Sequence, residues 1–258
     1  TNDKEIINMN NNVWKGFKDF IVYDKVQEDR VVTSFYLKAA DDMPLPKALP
    51  GQFIAVRIQK GEKEYSTVRQ YTLSMDSKED FYRISVKIEE DGNLSKQLCR
   101  DIKVGDKVQA TIPMGRFVLK EGNEPVVLIG GGIGITPMLS MAYATKGTDR
   151  KVKLVYSTKN SEYHAFKDEL SKLNIEENID LIQIYTRPLE EDKENVDFDF
   201  KGRINKDWIA NNLPMDGEFY FCGPIEFMRT VYKSLESLGI EKSRINFELF
   251  AAGEDITK

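Results

Sequence analysis

From Trp14 to Thr111 the apolar positions fall in short runs with a two-residue beat. "FKDFIVYDKV", "RVVTSFYLKAA", "GQFIAVRIQ", "RQYTLSM", "FYRISVKIEE" and "DKVQATIP" are rich in β-branched and aromatic residues and are separated by turn residues, the pattern of half-buried strands. Six such segments, interrupted by one helical stretch, "NLSKQLCRDI", predict an all-β antiparallel six-stranded barrel. From Pro125 the rhythm changes to strand then helix. "PVVLIG" precedes "TPMLSMAYATK", "KVKLVYST" precedes "YHAFKDELSKL", "IDLIQIYT" precedes a polar loop, "GEFYFCG" precedes "PIEFMRTVYKSLESLG", and "RINFELF" ends the series. This alternation predicts an α/β domain with a parallel five-stranded sheet covered by helices on both faces. "IPMGRFVLKEGNEP", with Pro113, Gly115, Gly122 and Pro125, reads as the boundary. The expected organisation is a polar tail or linker over 1–13, a β-barrel domain over 14–119 and an α/β domain over 120–258.

Composition narrows the function. The run Pro125–Thr145 carries no charge and is long enough to cross a bilayer, but Gly130, Gly131, Gly132, Gly134 and Pro137 inside it argue against a spanning helix. A net charge of -5 without a basic block excludes nucleic acid as an expected partner. Cys99 and Cys222 stand far apart and in no CxxC pattern, which excludes zinc or iron–sulfur ligation within the chain and suits a reducing, cytoplasmic setting. The opening residues do not read as a secretory leader. His164, the single histidine, falls in what reads as an amphipathic helix, so it is expected to be an ordinary helix residue rather than a metal ligand. "LEEDKENVDFDF" (189–200) reads as a solvated loop, with docking of a basic electron-transfer partner as the sharper alternative.

"VVLIGGGIGITPM" (126–138) has the form of strand, glycine turn and helix, with Thr136 as N-cap and Pro137 at the first helical position. Such a helix start attracts phosphate. Gly132-x-Gly134 is followed by Pro137 where a dinucleotide fingerprint has its third glycine. The next strand ends in Ser157, Thr158 and Lys159, with no acid for a ribose 2′-hydroxyl, while Lys159 could meet a 2′-phosphate. Taken alone, the segment is a weak signal, with a structural glycine turn as its alternative. In "RQYTLS" strand alternation puts Arg69 and Tyr71 on one face and Thr72 on the other, a cation for a pyrophosphate and a ring for a planar heterocycle, although a plain surface ladder has the same form. Gly92, Asn93, Leu94 and Ser95 open the barrel's helix and offer a second anion site. In "YFCGPIEFM", Cys222, Gly223 and Pro224 end a strand at the edge where parallel sheets bind ligands, with Cys222 otherwise a buried core thiol.

"RQYTLS", "GNLS", "GGGIGITPM", "YFCGPIEFM" and "NFELF", in this order and spacing, resemble the ferredoxin–NADP reductase superfamily. "WKGFKDF", "VVTSFYL", "PGQFIAV" and "CGPIEFM" look most like the reductase portion of flavohaemoglobins, from about Trp14 to Phe250. The resemblance implies an FAD-binding barrel followed by an NAD-binding domain that passes hydride from NAD(P)H to FAD. It implies that Arg69 meets the flavin phosphates, Tyr71 stacks on the ring and Thr72 hydrogen-bonds near N5. Phe53, Gln70, Val86, Lys87, Gly92, Asn93, Leu94 and Ser95 would complete the FAD site. Gly132, Ile133, Gly134, Ile135, Thr136 and Pro137 would hold the coenzyme phosphates, with Cys222, Gly223 and Pro224 beside the nicotinamide. Glu248 would handle protons or charge near the flavin, and Phe250 would cover the ring. Thr72, Cys222 and Glu248 are the implied catalytic tuning residues. Three features depart from the pattern: Phe53 replaces a tyrosine, "LFAAGEDI" replaces the F-G-P ending, and no globin half is present. Either NADH or NADPH could serve as coenzyme, with NADH favoured. Electrons would pass to a haem or other redox partner, a globin being one candidate. A free-standing diaphorase or flavin reductase, or a non-catalytic flavin-binding redox sensor, is the alternative.

Overall fold

The computed structural model describes residues 13–251 and 253–258. The expected tail over 1–13 thus lies outside the described residues, apart from Val13. The chain divides into two compact units, one ending at Val118 and the other starting at Leu119.

The first unit is built from β1 (Lys18–Gln27), β2 (Val32–Ala39), β3 (Phe53–Arg57), β4 (Gln59–Gly61), β5 (Glu64–Tyr65), β6 (Arg69–Thr72), β7 (Tyr82–Lys87), α1 (Asn93–Asp101) and β8 (Lys107–Ala110). Six strands form one antiparallel sheet in the order β6-β3-β8-β1-β2-β7. Its two ends meet where Leu73, just past β6, bridges Ile84 of β7, and this closes the barrel. A register shift between Val22 and Asp24 bends the long strand β1, as closure requires. Every second residue points inward. Phe20, Val22, Phe35, Leu37, Ile54, Val56 and Ile84 are fully buried, each contributing about 1.5–3 kcal/mol. The short pair β4–β5 is a hairpin outside the barrel sheet, and apart from Gln59 it lies outside the six predicted segments.

The second unit comprises β9 (Val126–Gly131), α2 (Ile135–Thr145), β10 (Val152–Thr158), α3 (Lys167–Leu173), β11 (Ile179–Tyr185), β12 (Phe200–Lys201), α4 (Lys206–Asn212), β13 (Glu218–Cys222), α5 (Ile225–Ser237) and β14 (Ile245–Phe247). The strands run parallel in the order β12-β11-β10-β9-β13-β14. The sheet therefore has six strands, not the five expected. The addition is β12, two residues pairing with Ile184 and Tyr185, too short to leave a hydrophobic rhythm. Helix α4 also lies in the stretch expected to be loop, and its start is marked by Asn205, whose side chain accepts from the Trp208 N–H (2.8 Å). His164 is not on a helix. Phe166 takes a left-handed conformation (φ 58) and delays α3 to Lys167, which leaves His164 buried in the connection.

Candidate functional site

In the first unit, β6 carries "RQYT" along the antiparallel ladder opposite β3, with Phe53 facing Thr72, Ile54 facing Tyr71 and Ala55 facing Gln70. Arg69 and Gln70 are exposed, Tyr71 is half-buried against the barrel core and Thr72 is buried. The Arg69 guanidinium donates to the Val68 carbonyl (2.9 Å), and no ion pair engages it among the described residues. Thr72 Oγ1 is buried without a hydrogen-bond partner among the described residues. Burial pushes the Tyr71 phenol up, so its hydroxyl stays protonated at neutral pH.

Sequence reading missed what holds β6 in place. The Ser74 hydroxyl bonds to that of Ser85 (2.8 Å), which bonds to that of Ser34 (2.7 Å), while Arg83 Nε donates to Ser74 Oγ (3.1 Å). This buried polar seam fixes the chain two residues beyond Thr72. A serine or an arginine inside an otherwise apolar strand was the only signal, and three strands had to come together before it had meaning.

Helix α1 starts at Asn93 after Gly92, with no side-chain cap on its first N–H groups. The Ser95 hydroxyl instead accepts from the Glu89 N–H (3.0 Å), tying the helix start to the end of β7. At the other end, Lys25 Nζ donates to the carbonyls of Cys99 (2.8 Å) and Ile102 (2.7 Å), which anchors the helix through its negative pole. Val86 is buried, whereas Lys87 is exposed and 3.9 Å from Glu89. Phe53 is half-buried and bridges Met114.

In the second unit the glycine run corrects the expected layout. Gly130 and Gly131 belong to β9, and only Gly132, Ile133 and Gly134 form the turn, one 3-10 turn with Gly132 left-handed at φ +53. Nothing lies within 4 Å of where a Gly132 Cβ would stand. Helix α2 already begins at Ile135, so Thr136 is its second residue and Pro137 its third, not N-cap and N1. The Thr136 hydroxyl donates back to the Ile133 carbonyl (3.0 Å) and does not accept from a helix N–H. The early start follows from crowding: a Cβ on Gly134 would lie 2.2 Å from the Cys222 carbonyl oxygen, so the turn is pressed against the end of β13. Pro137 is harmless because first-turn N–H groups have no partner within the helix.

Cys222, Gly223 and Pro224 run from the end of β13 to the start of α5, with Pro224 as its N-cap. The Cys222 side chain is fully buried, and burial together with the nearby Glu248 pushes its thiol up, so it remains a neutral thiol. Glu248 follows β14; its Oε2 is buried without a partner among the described residues, and burial lifts its carboxyl to about 7. Phe250, two residues on, is 47% exposed. The turn Gly132–Gly134, Cys222 and Gly223 are thus brought together, as Gly134 shows, and Glu248 lies close enough to Cys222 to act on its charge.

His164 contacts Tyr185 through Nδ1 and the phenol oxygen (2.6 Å), and burial lowers its pKa to about 4. Among the described residues no group of His, Cys, Asp and Glu could hold a metal ion, and no helix is long and apolar enough to cross a membrane.

Residues 20–119 match the family described as oxidoreductase FAD-binding domain, and residues 128–233 match the oxidoreductase NAD-binding domain. A flavohemoprotein of Bacillus cereus (strain ATCC 10987 / NRS 248) is 39% identical over 247 residues, which are 92% of this chain and 61% of that protein. The chain thus spans about three fifths of the length of the curated relatives it matches. The flavohem-like FAD/NAD binding domain of nitric oxide dioxygenase from Vibrio cholerae O1 biovar El Tor superposes with a TM-score of 0.80 at 34% identity, covering 90% of this chain and 98% of that one. Phthalate dioxygenase reductase, described as a modular structure for electron transfer from pyridine nucleotides to 2Fe-2S, gives a TM-score of 0.73 at 28% identity, over 93% and 70% of the two chains. A barrel and a parallel sheet in this order, each matched by its own cofactor-binding family and together covered by these relatives, leave one assignment: the chain belongs to the FAD- and NAD-binding oxidoreductases of the ferredoxin–NADP reductase superfamily, in the group of flavohaemoglobin reductase portions.

Proposed function

We propose that this NAD(P)H-dependent FAD oxidoreductase takes NADH in preference to NADPH and hands its electrons to a separate redox centre, a globin haem foremost. Residues 14–119 hold the flavin in this reading and residues 120–258 hold the coenzyme. The observation that carries it is Thr72. A buried hydroxyl without a partner costs about 1–3 kcal/mol, and the ring nitrogens and oxygens of a flavin would supply that partner. Arg69 on the same strand offers an exposed cation with no ion pair among the described residues for the flavin phosphates, Tyr71 a neutral aromatic ring, and Gly92, Asn93, Leu94 and Ser95 a helix start without a side-chain cap. Phe53 and Val86 provide apolar surface, and Gln70 and Lys87 exposed polar groups.

FAD, when bound, supplies the chemistry: it accepts a hydride and releases electrons one at a time. The chain aligns, shields and handles protons. The open space over Gly132, the turn through Ile133 and Gly134, and the start of α2 at Ile135, Thr136 and Pro137, which has no side-chain cap, suit the coenzyme diphosphate. Cys222 gives a neutral wall, since its thiol does not ionise near pH 7, and Gly223 and Pro224 shape the backbone beside it. Glu248, with a carboxyl at about 7, can take up or release a proton as charge builds nearby. A globin partner is favoured by the flavohemoprotein relatives, of which this chain matches 61%.

The test is anaerobic addition of NADH to the FAD-loaded chain, followed by a ferric globin. Bleaching of the flavin band and then reduction of the haem are expected. A flavin that stays oxidised refutes the coenzyme reading, and a reduced flavin that leaves every haem acceptor untouched refutes the partner.

A further inference from the structure

Where a parallel sheet binds a dinucleotide, the diphosphate lies at the turn after one strand. The adenosine ribose is met by a carboxylate at the end of the next, which accepts from its hydroxyls and repels a 2′-phosphate. Strand β10 ends at Thr158 with no acid. The fold brings one there from another loop. The connections leaving β10 and β11 are zipped together: the Thr186 N–H donates to the Thr158 carbonyl (2.9 Å), the Arg187 N–H to that of Lys159 (2.8 Å), and Asn160 Nδ2 to that of Arg187 (3.2 Å). The second loop then folds back at Asp192, whose Oδ2 accepts from the backbone N–H groups of Ser161 (3.3 Å) and Leu189 (2.9 Å).

Burial opposes the Asp192 charge, but Ser161, the Leu189 amide and the nearby Lys167 cation outweigh burial and hold the carboxyl below the usual carboxylate range. A carboxylate has about four acceptor positions, and both amides reach Oδ2, so Oδ1 keeps acceptor positions for a ligand hydroxyl. Asp192 is half-buried and therefore both fixed and reachable. The cation that the sequence offered to a 2′-phosphate is differently engaged, since Lys159 Nζ sits 4.8 Å over the Tyr163 ring.

We propose that Asp192 is the ribose-recognition residue of the coenzyme site and selects NADH over NADPH. The inference rests on the reading that the second unit holds the coenzyme.

The experiment measures, by calorimetry on the FAD-loaded chain, the Kd of ADP-ribose and of its 2′-phosphorylated form, for wild type and Asp192→Asn. The amide oxygen of Asn still accepts from both backbone N–H groups, while an NH2 group replaces the ligand-facing acceptor. Wild type is expected to prefer ADP-ribose. Asp192→Asn is expected to lose about tenfold on ADP-ribose and to bind the 2′-phosphorylated form more tightly than wild type does. A purely structural role would weaken both ligands together, and parallel losses or an unchanged ratio overturn the proposal. If Asp192→Asn does not fold, Asp192→Ser gives the same comparison, with a hydroxyl left to meet the amides. Failure of the wider reading looks different: wild type binds neither ligand, and NADH leaves its flavin oxidised.

Discussion

Replacing Glu248 by glutamine removes one titration while keeping the size and shape of the side chain. The folded chain holds the Glu248 proton up to about 7, whereas the unfolded chain releases it near the ordinary value of 4.5. Between those values the folded state binds more protons, so stability falls as pH rises. The contribution is complete below about 4.5 and is lost as pH climbs through about 7, and its full size is about 3 kcal/mol. Cys222 does not blur the window, because its thiol titrates well above 9. The amide leaves a polar group in the same buried spot, a cost that does not vary with pH. Urea unfolding of wild type and Glu248→Gln at steps from about pH 5 to about pH 8.5 isolates the pH-dependent part. The stability difference is expected to move by about 2.5 kcal/mol in favour of the glutamine variant over that range, because part of the full effect is already lost below pH 5. Parallel curves would show that the carboxyl titrates normally, and with that the argument for Glu248 as a proton-handling group near neutral pH collapses.

Thr72→Val deletes the unpartnered hydroxyl at nearly constant volume. The flavin-free chain is expected to be as stable or up to about 1 kcal/mol more stable, while FAD binds roughly tenfold more weakly, read by thermal melts and flavin titration. Gly134→Ala would push a methyl to 2.2 Å from the Cys222 carbonyl oxygen; a loss of about 3 kcal/mol or more in unfolding free energy is expected, together with loss of NADH-driven flavin reduction. With its pKa lowered to about 4, His164 adds stability that is present above 6.5 and lost as pH falls toward 4. Its imidazole NMR signals should stay flat from pH 8 to about 5.5, and a titration centred near 6.5 would contradict the buried placement.

Much of the architecture was legible in the sequence because period-two and strand–helix rhythms are local consequences of burying one face. Six barrel strands, the helix after Gly92 and the strand–helix alternation of the second unit all follow from such patterns. Residues whose chemistry depends on type and local position were legible as well: Arg69 and Tyr71 in a strand, glycines before a helix, Cys222 at a strand end. Tertiary structure decided what depends on distant neighbours. Two residues of β12 pair only because β11 is already there, and α2 starts early because the Cys222 carbonyl crowds Gly134. His164 left its expected helix for a buried contact with Tyr185. Thr72 and Glu248 became unusual only when folding enclosed their oxygens without giving them partners, since desolvation is a property of the surroundings and not of the residue. The clearest case is the acid that the sequence lacks after β10. It stands more than thirty residues farther on, and in the folded chain the Ser161 amide holds Asp192 beside the loop where the local sequence has only Ser157, Thr158 and Lys159.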